Sequence, residues 1–112
     1  MKKRLLFICT ENLLRSPTAE DLVNRSKEFS DYTARSAGTS MAAEHQLSKE
    51  LVNWADIIFV FSERYDKHKT ILLKKFPNIK KRIIDLAIQD KYSKNDPGLI
   101  KILKNKLKKY LR

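Results

Sequence analysis

Cys9 and Arg15 lie six residues apart in the stretch Cys9-Thr10-Glu11-Asn12-Leu13-Leu14-Arg15-Ser16-Pro17. A thiolate is a strong nucleophile, and a planar guanidinium can grip two oxygens of a phosphate at once. Set across one loop, the pair suits attack on a phosphate monoester. The dianion needs further donors, and a loop between a strand and a helix can turn successive backbone N–H groups inward. Thr10, Glu11, Asn12, Leu13 and Leu14 are the residues so placed, with Arg15 and Ser16 closing the cradle. The same inward field favours the thiolate form of a cysteine at the loop's start. Ser16 can offer its hydroxyl to that sulfur or cap the helix that Pro17 begins. Asn12, mid-loop, tolerates the left-handed backbone such a cradle needs where glycine is lacking.

Breaking the ester also requires a proton for the departing oxygen, so a carboxylic acid must face the sulfur across the phosphate. Asp90 follows the last apolar run directly and is the preferred residue. Asp96, in the chain's one Asp-Pro pair, has a ready structural role as the N-cap of the final helix. Asp85 falls inside a strand and ranks third. His45 and His68 raise the thought of a Cys–His protease, but no protease nucleophile signature surrounds Cys9. His68 lies on an apolar helical stripe and reads as a packing residue. No metal-ligand spacing links either histidine to Cys9, so neither a metal nor an organic cofactor is expected.

These residues need a scaffold. Four short apolar runs read as strands: Leu5–Cys9, Tyr32–Ser36, Ile57–Phe61 and Ile83–Ile88. The third is apolar at every position, as a strand covered on both faces should be. Between them run helical patterns. Ala19, Leu22, Val23 and Ser26 share one face; Leu47, Leu51, Trp54 and Ala55 mark a second helix; Tyr65, His68, Leu72 and Phe76 mark a third. Asp96-Pro97 opens the last, with Ile100, Leu103, Leu107 and Tyr110 or Leu111 turned inward onto the sheet. Strands alternating with helices imply an α/β domain of three layers, a four-stranded parallel sheet with helices on both faces. Its phosphate-binding loop follows the first strand. Ligands of such sheets bind beyond the strands' carboxyl ends, which is where Cys9 falls.

Composition sets the outer bounds. The 112 residues predict a single domain, residues 1–112, and the apolar fraction of 42% suits a soluble globule. No apolar run approaches the ~20 residues that span a bilayer. Met1-Lys2-Lys3-Arg4 ahead of Leu5–Cys9 has the outline of a secretory leader. The apolar stretch is too short, however, and Thr10-Glu11-Asn12 stands where a small-residue cleavage site belongs. With one cysteine no internal disulfide can form, and a cytoplasmic protein is expected. The net charge is +11, and six basic residues fall in the last sixteen, where there is no acid. Such a surface attracts phosphoesters, nucleic acid or acidic lipid, and charge alone does not choose among them.

Leu6-Phe7-Ile8-Cys9-Thr10-Glu11-Asn12-Leu13-Leu14-Arg15-Ser16-Pro17 resembles the Cys-x5-Arg-Ser-Pro signature of the low-molecular-weight protein tyrosine phosphatases. Ser36-Ala37-Gly38-Thr39, Trp54-Ala55-Asp56-Ile57-Ile58-Phe59-Val60 and Ile88-Gln89-Asp90-Lys91-Tyr92 are similar to later segments of that family. The resemblance implies an enzyme that hydrolyses a phosphorylated protein or a small aryl phosphate, releasing inorganic phosphate. It implies that Ser36 helps pin the loop asparagine and that the general acid lies in an Asp-Pro-Tyr loop; the one Asp-Pro here is Asp96-Pro97, yet Asp90, directly after the last strand, is preferred to Asp96. Tyr92 then falls on the aromatic pocket wall, and Met41 stands in the stretch where a second wall residue is expected. There are departures. The chain is shorter than the family norm, with the deletion placed between Ser40 and Leu47. Leu14 replaces a second loop cysteine, and Glu11 replaces a common glycine. Two enzymes of similar fold compete: arsenate reductases coupled to an external thiol, and sugar-transport phosphocarrier domains, which lack the arginine. A non-catalytic anion or nucleic-acid binding module is the competing reading from another class.

Overall fold

The computed structural model describes residues 2–111; Met1 and Arg112, one of the six terminal basic residues, lie outside the described residues. Leu5, Leu6, Phe7 and Ile8 are wholly buried, so strand β1 (Lys3–Cys9) must be covered on both faces. It is flanked by β2 (Tyr32–Gly38) and β3 (Ile57–Val60), and β4 (Arg82–Asp85) closes the sheet in the order β2-β1-β3-β4. All neighbouring strands are parallel. The chain leaves β1 toward β2 and later returns to its other side as β3, which puts the switch point at the carboxyl end of β1. Cys9 is the last residue of that strand, in register with Gly38.

Because side chains alternate along a strand, the sheet makes two cores. Leu5, Phe7 and Phe59 face helices α1 (Arg15–Arg25) and α5 (Pro97–Tyr110), whose Ala19, Val23, Leu99, Leu103 and Leu107 complete that side. The rings of Phe7 and Phe59 stack with centroids 5.1 Å apart. Leu6, Ile8, Ile58 and Val60 face the opposite layer, built from α2 (Lys49–Trp54) and α4 (His68–Lys75) through Val52 and Leu72. Leu99, Leu103 and Leu107 are fully buried, and each contributes about 1.5–3 kcal/mol by leaving water. No helix among the described residues is long and apolar enough to cross a membrane.

Three elements differ from their sequence outline, each for a local reason. The stripe from Tyr65 to Phe76 is two helices, α3 (Glu63–Asp66) and α4, because Lys67 adopts a left-handed φ of 55° between them. β4 ends at Asp85, whose carboxylate accepts the Ala87 N–H at 2.9 Å while Ala87 turns to φ 54°. Leu86 and Ile88 nevertheless keep amide bonds to Val60 and Phe61, so the segment still lies along β3. β2 runs on past Ser36 to Gly38, where a Cβ would lie 2.5 Å from both the Thr10 carbonyl oxygen and the Ala43 Cβ. Only glycine permits that approach.

Candidate active site

The loop from Cys9 to Arg15 is held from outside. The carbonyls of Cys9, Thr10 and Glu11 accept the amides of Thr39, Ser40 and Glu44 at 2.9, 2.9 and 3.2 Å. With its carbonyls turned outward the loop can present its N–H groups inward; those of Glu11 to Leu14 donate to no protein acceptor among the described residues. Asn12 takes the left-handed conformation, φ 59°. Its Nδ2 donates to Ser16 Oγ at 2.9 Å, and that oxygen also lies 2.9 Å from Cys9 Sγ. Having accepted from Asn12, the hydroxyl has its own proton for the sulfur, and a hydroxyl donor stabilises a thiolate. Ser16 is inside α1, so of its two sequence-derived roles it takes the bond to sulfur; position 14 precedes the helix without a side-chain cap.

Arg15 is 1% exposed. Both protons of Nη1 are engaged, donating to the Ile88 carbonyl at 2.8 Å and to Asp66 Oδ2 at 3.0 Å. The Phe61 ring lies 5.7 Å from the guanidinium carbon. A guanidinium has five N–H bonds, so the edge formed by Nε and Nη2 keeps the three that can grip two phosphate oxygens. Asp90 Oδ1 stands 3.7 Å from Nε. Cys9, Thr10, Glu11, Leu13, Leu14, Arg15, Asp66 and Asp90 together line a cleft of about 190 Å³. Asp96 is elsewhere, accepting the Gly98 N–H at 2.7 Å as the N-cap of α5.

Two residues that sequence reasoning passed over complete the site. Asp66, at the end of α3, orients Arg15. His68, read as a packing residue, is buried but polar in function: its Nδ1 accepts the Ser62 N–H at 3.0 Å. The proton is therefore on Nε2, which donates to Thr10 Oγ1 at 2.9 Å and ties the loop to the end of β3. Burial, and then the Arg15 charge, push the histidine down from its usual 6.5 to about 4. The clue was positional, since polar side chains just beyond the carboxyl ends of β1 and β3 can meet.

Three expected positions need correction. Met41 is 89% exposed and lines no part of the cleft. Tyr92 packs against the α1–α5 core and lines a neighbouring hollow, because Ala87 redirects the segment that carries it. The exposed apolar walls of the cleft are Leu13 and Leu14 instead. Ser36 donates its hydroxyl to Glu20 Oε1 at 2.5 Å. A carboxylate is the stronger acceptor, and Asn12 Oδ1 is buried with no partner among the described residues. No group of three metal-ligating side chains occurs among the described residues. His45 is exposed.

A cysteine at the switch point of a parallel sheet, beside a cradle of amides and a pinned arginine, defines the class of phosphatases that work through a cysteine. The family model for low molecular weight phosphotyrosine protein phosphatase matches residues 4–56. Over those residues the chain is similar to this family of cysteine-dependent phosphatases. A protein-arginine-phosphatase of Geobacillus stearothermophilus is 29% identical over 108 residues, covering 77% of this chain and 70% of that protein. The fold is similar to the tyrosine phosphatase amsI of Erwinia amylovora, with a TM-score of 0.75, 22% identity and coverage of 99% and 92% of the two chains. It is similar also to the tyrosine phosphatase Wzb of Escherichia coli K30, solved with phosphate, with a TM-score of 0.74, 20% identity and coverage of 98% and 96%.

Proposed function

We propose that this chain hydrolyses phosphomonoesters on proteins, phosphotyrosine foremost, through a cysteinyl phosphate at Cys9. The sulfur attacks phosphorus in line and the P–O bond to the tyrosine breaks, while Asp90 gives its proton to the departing oxygen. The loop amides and the Nε–Nη2 edge of Arg15 hold the equatorial oxygens as charge builds on them. Water then attacks the cysteinyl phosphate, Asp90 takes a proton from it, and inorganic phosphate leaves as the thiolate returns. Leu13 and Leu14 offer an apolar wall against which an aryl ring can lie. The observation that carries this reading is the Cys9–Ser16 contact of 2.9 Å at the mouth of the cradle, beside a guanidinium already fixed by Asp66 and Ile88. A thiol that must stay reduced to act fits a cytoplasmic setting.

The test is hydrolysis of p-nitrophenyl phosphate in a chelator. Wild type should turn it over, and Cys9→Ser and Arg15→Ala should each lose activity by about a thousandfold or more. Turnover retained in Cys9→Ser would refute the assignment of the nucleophile. Phosphoarginine is the second substrate to try. The Geobacillus relative carries that activity in its name, and Glu11, Asp66 and Asp90 around the cleft can accept guanidinium N–H bonds. Peptides bearing one or the other modification, compared by kcat/KM, decide between them.

A further inference from the structure

The Cys9 cleft does not end at its two aspartates. Asp66 and Asp90 also line a second hollow of about 290 Å³, with Tyr65, Gln89 and Lys91 as its other walls. Those three in turn line a third, of about 500 Å³, which reaches Tyr92 and Ile102 of the α5 side. Consecutive hollows have lining residues in common, Asp66 and Asp90 between the first two and Tyr65, Gln89 and Lys91 between the last two, so the three adjoin as a run of hollows, termed the groove. The last of them falls within the range of roughly 300–1,000 Å³ typical of ligand-binding clefts.

The chemistry changes along this run. Around the cradle stand the carboxylates Glu11, Asp66 and Asp90. The far hollow is lined by Arg64, Lys91 and Lys106 and by no acid among its described lining residues. Two of these cations lie against ring faces, Arg64 at 5.4 Å from Tyr65 and Lys91 at 5.6 Å from Tyr92, which restrains them without neutralising them. Tyr65 is 57% exposed, an aromatic surface presented beside positive charge. The 86–91 segment that walls the groove also supplies the Ile88 carbonyl that fixes Arg15. A substrate chain lying in the groove is therefore registered against the phosphate grip itself.

We propose that this groove binds the polypeptide flanking the phosphorylated residue and selects substrates that carry an acidic side chain there. The inference rests on the phosphatase reading and specifies its substrate class. The charge contrast commits the occupant: an acidic residue is repelled at the cradle's rim and received in the far hollow, so its distance from the phosphate matters. Each exposed ion pair is worth up to about 1 kcal/mol, or roughly fivefold, and is screened by salt.

The experiment compares two phosphotyrosine peptides that differ only in glutamates or glutamines beside the tyrosine. Wild type should favour the acidic peptide in kcat/KM by about fivefold at low salt, and the preference should shrink at high salt. The double substitution Arg64→Gln, Lys91→Gln should abolish the preference while p-nitrophenyl phosphate, too small to reach the groove, is hydrolysed as before. Equal use of the two peptides by wild type, or a preference that survives the substitutions, overturns the proposal. An equal loss with p-nitrophenyl phosphate does so too. Should nothing be hydrolysed, the phosphatase reading fails and the groove is judged by binding. The unphosphorylated acidic peptide, followed by fluorescence anisotropy, should then bind wild type more tightly than the double variant. Identical binding, or displacement by single-stranded DNA held through the same two residues, contradicts an acidic-peptide groove.

Discussion

At the scale of single residues the division of labour is between Asp90 and Asp96. Asp90 lines the cleft, whereas Asp96 spends its carboxylate on the first turn of α5. Asp90→Asn should slow hydrolysis by ~10²–10⁴-fold for esters whose leaving group needs a proton, and far less for those that depart unaided. Asp96→Asn should leave turnover unchanged, because asparagine caps a helix about as well. A leaving-group-dependent loss in the second variant and none in the first would exchange their roles. His68 supports the loop from behind, and its titration offers a different readout. Folded, the ring takes up a second proton, on Nδ1, only below about 4, against an ordinary 6.5. Between those values the unfolded chain binds a proton that the folded chain excludes, so stability is complete above pH 6.5 and falls as pH drops toward 4. Relative to His68→Gln, wild type should lose up to roughly 3 kcal/mol over that window in urea titrations. Parallel pH profiles for the two proteins would show that the ring bears no such load.

Among the elements, the β1–loop–α1 unit is the part the cradle depends on, and its outer clamp is the 38–44 segment. Gly38→Ala should force that clamp away, since the new methyl would meet the Thr10 carbonyl oxygen and Ala43 at 2.5 Å. An overpacked contact of this kind costs about 1–3 kcal/mol. Inorganic phosphate should inhibit the variant about tenfold more weakly, and unchanged inhibition would mean the loop keeps its shape without the clamp. This unit was legible from the chain, because a buried apolar run, a Cys–Arg spacing and a Ser-Pro helix start all fall within seventeen residues of one another. The break at Lys67 was not. Neither glycine nor proline marks it, and its rationale is tertiary, for it turns His68 toward Thr10 and leaves Asp66 beside Arg15. The pocket walls were illegible for a similar reason. Whether Tyr92 faces the cleft depends on the left-handed turns at Ala87 and Asn95, and nothing local in the sequence announces either.

The whole molecule carries a net charge of +11, yet three carboxylates ring the cleft. Long-range attraction therefore comes from the body of the protein and not from the rim of the site. Encounter with a dianionic substrate should be steered, so kcat/KM for an aryl phosphate should fall with ionic strength while kcat holds. A kcat that falls in step would place the salt effect in the chemistry. The sheet's switch point, the outward-tied loop and the pinned arginine all converge on the sulfur of Cys9, and one measurement addresses that sulfur directly. Enzyme quenched in acid during turnover of an aryl phosphate, and digested for mass spectrometry, should carry one phosphoryl group on the peptide containing Cys9. Asp90→Asn should raise that fraction when the leaving group departs unaided, because water then attacks without a base. Undiminished turnover with the phosphoryl group found on another residue, or with water attacking the ester in one step and Cys9 never modified, would contradict covalent catalysis at Cys9.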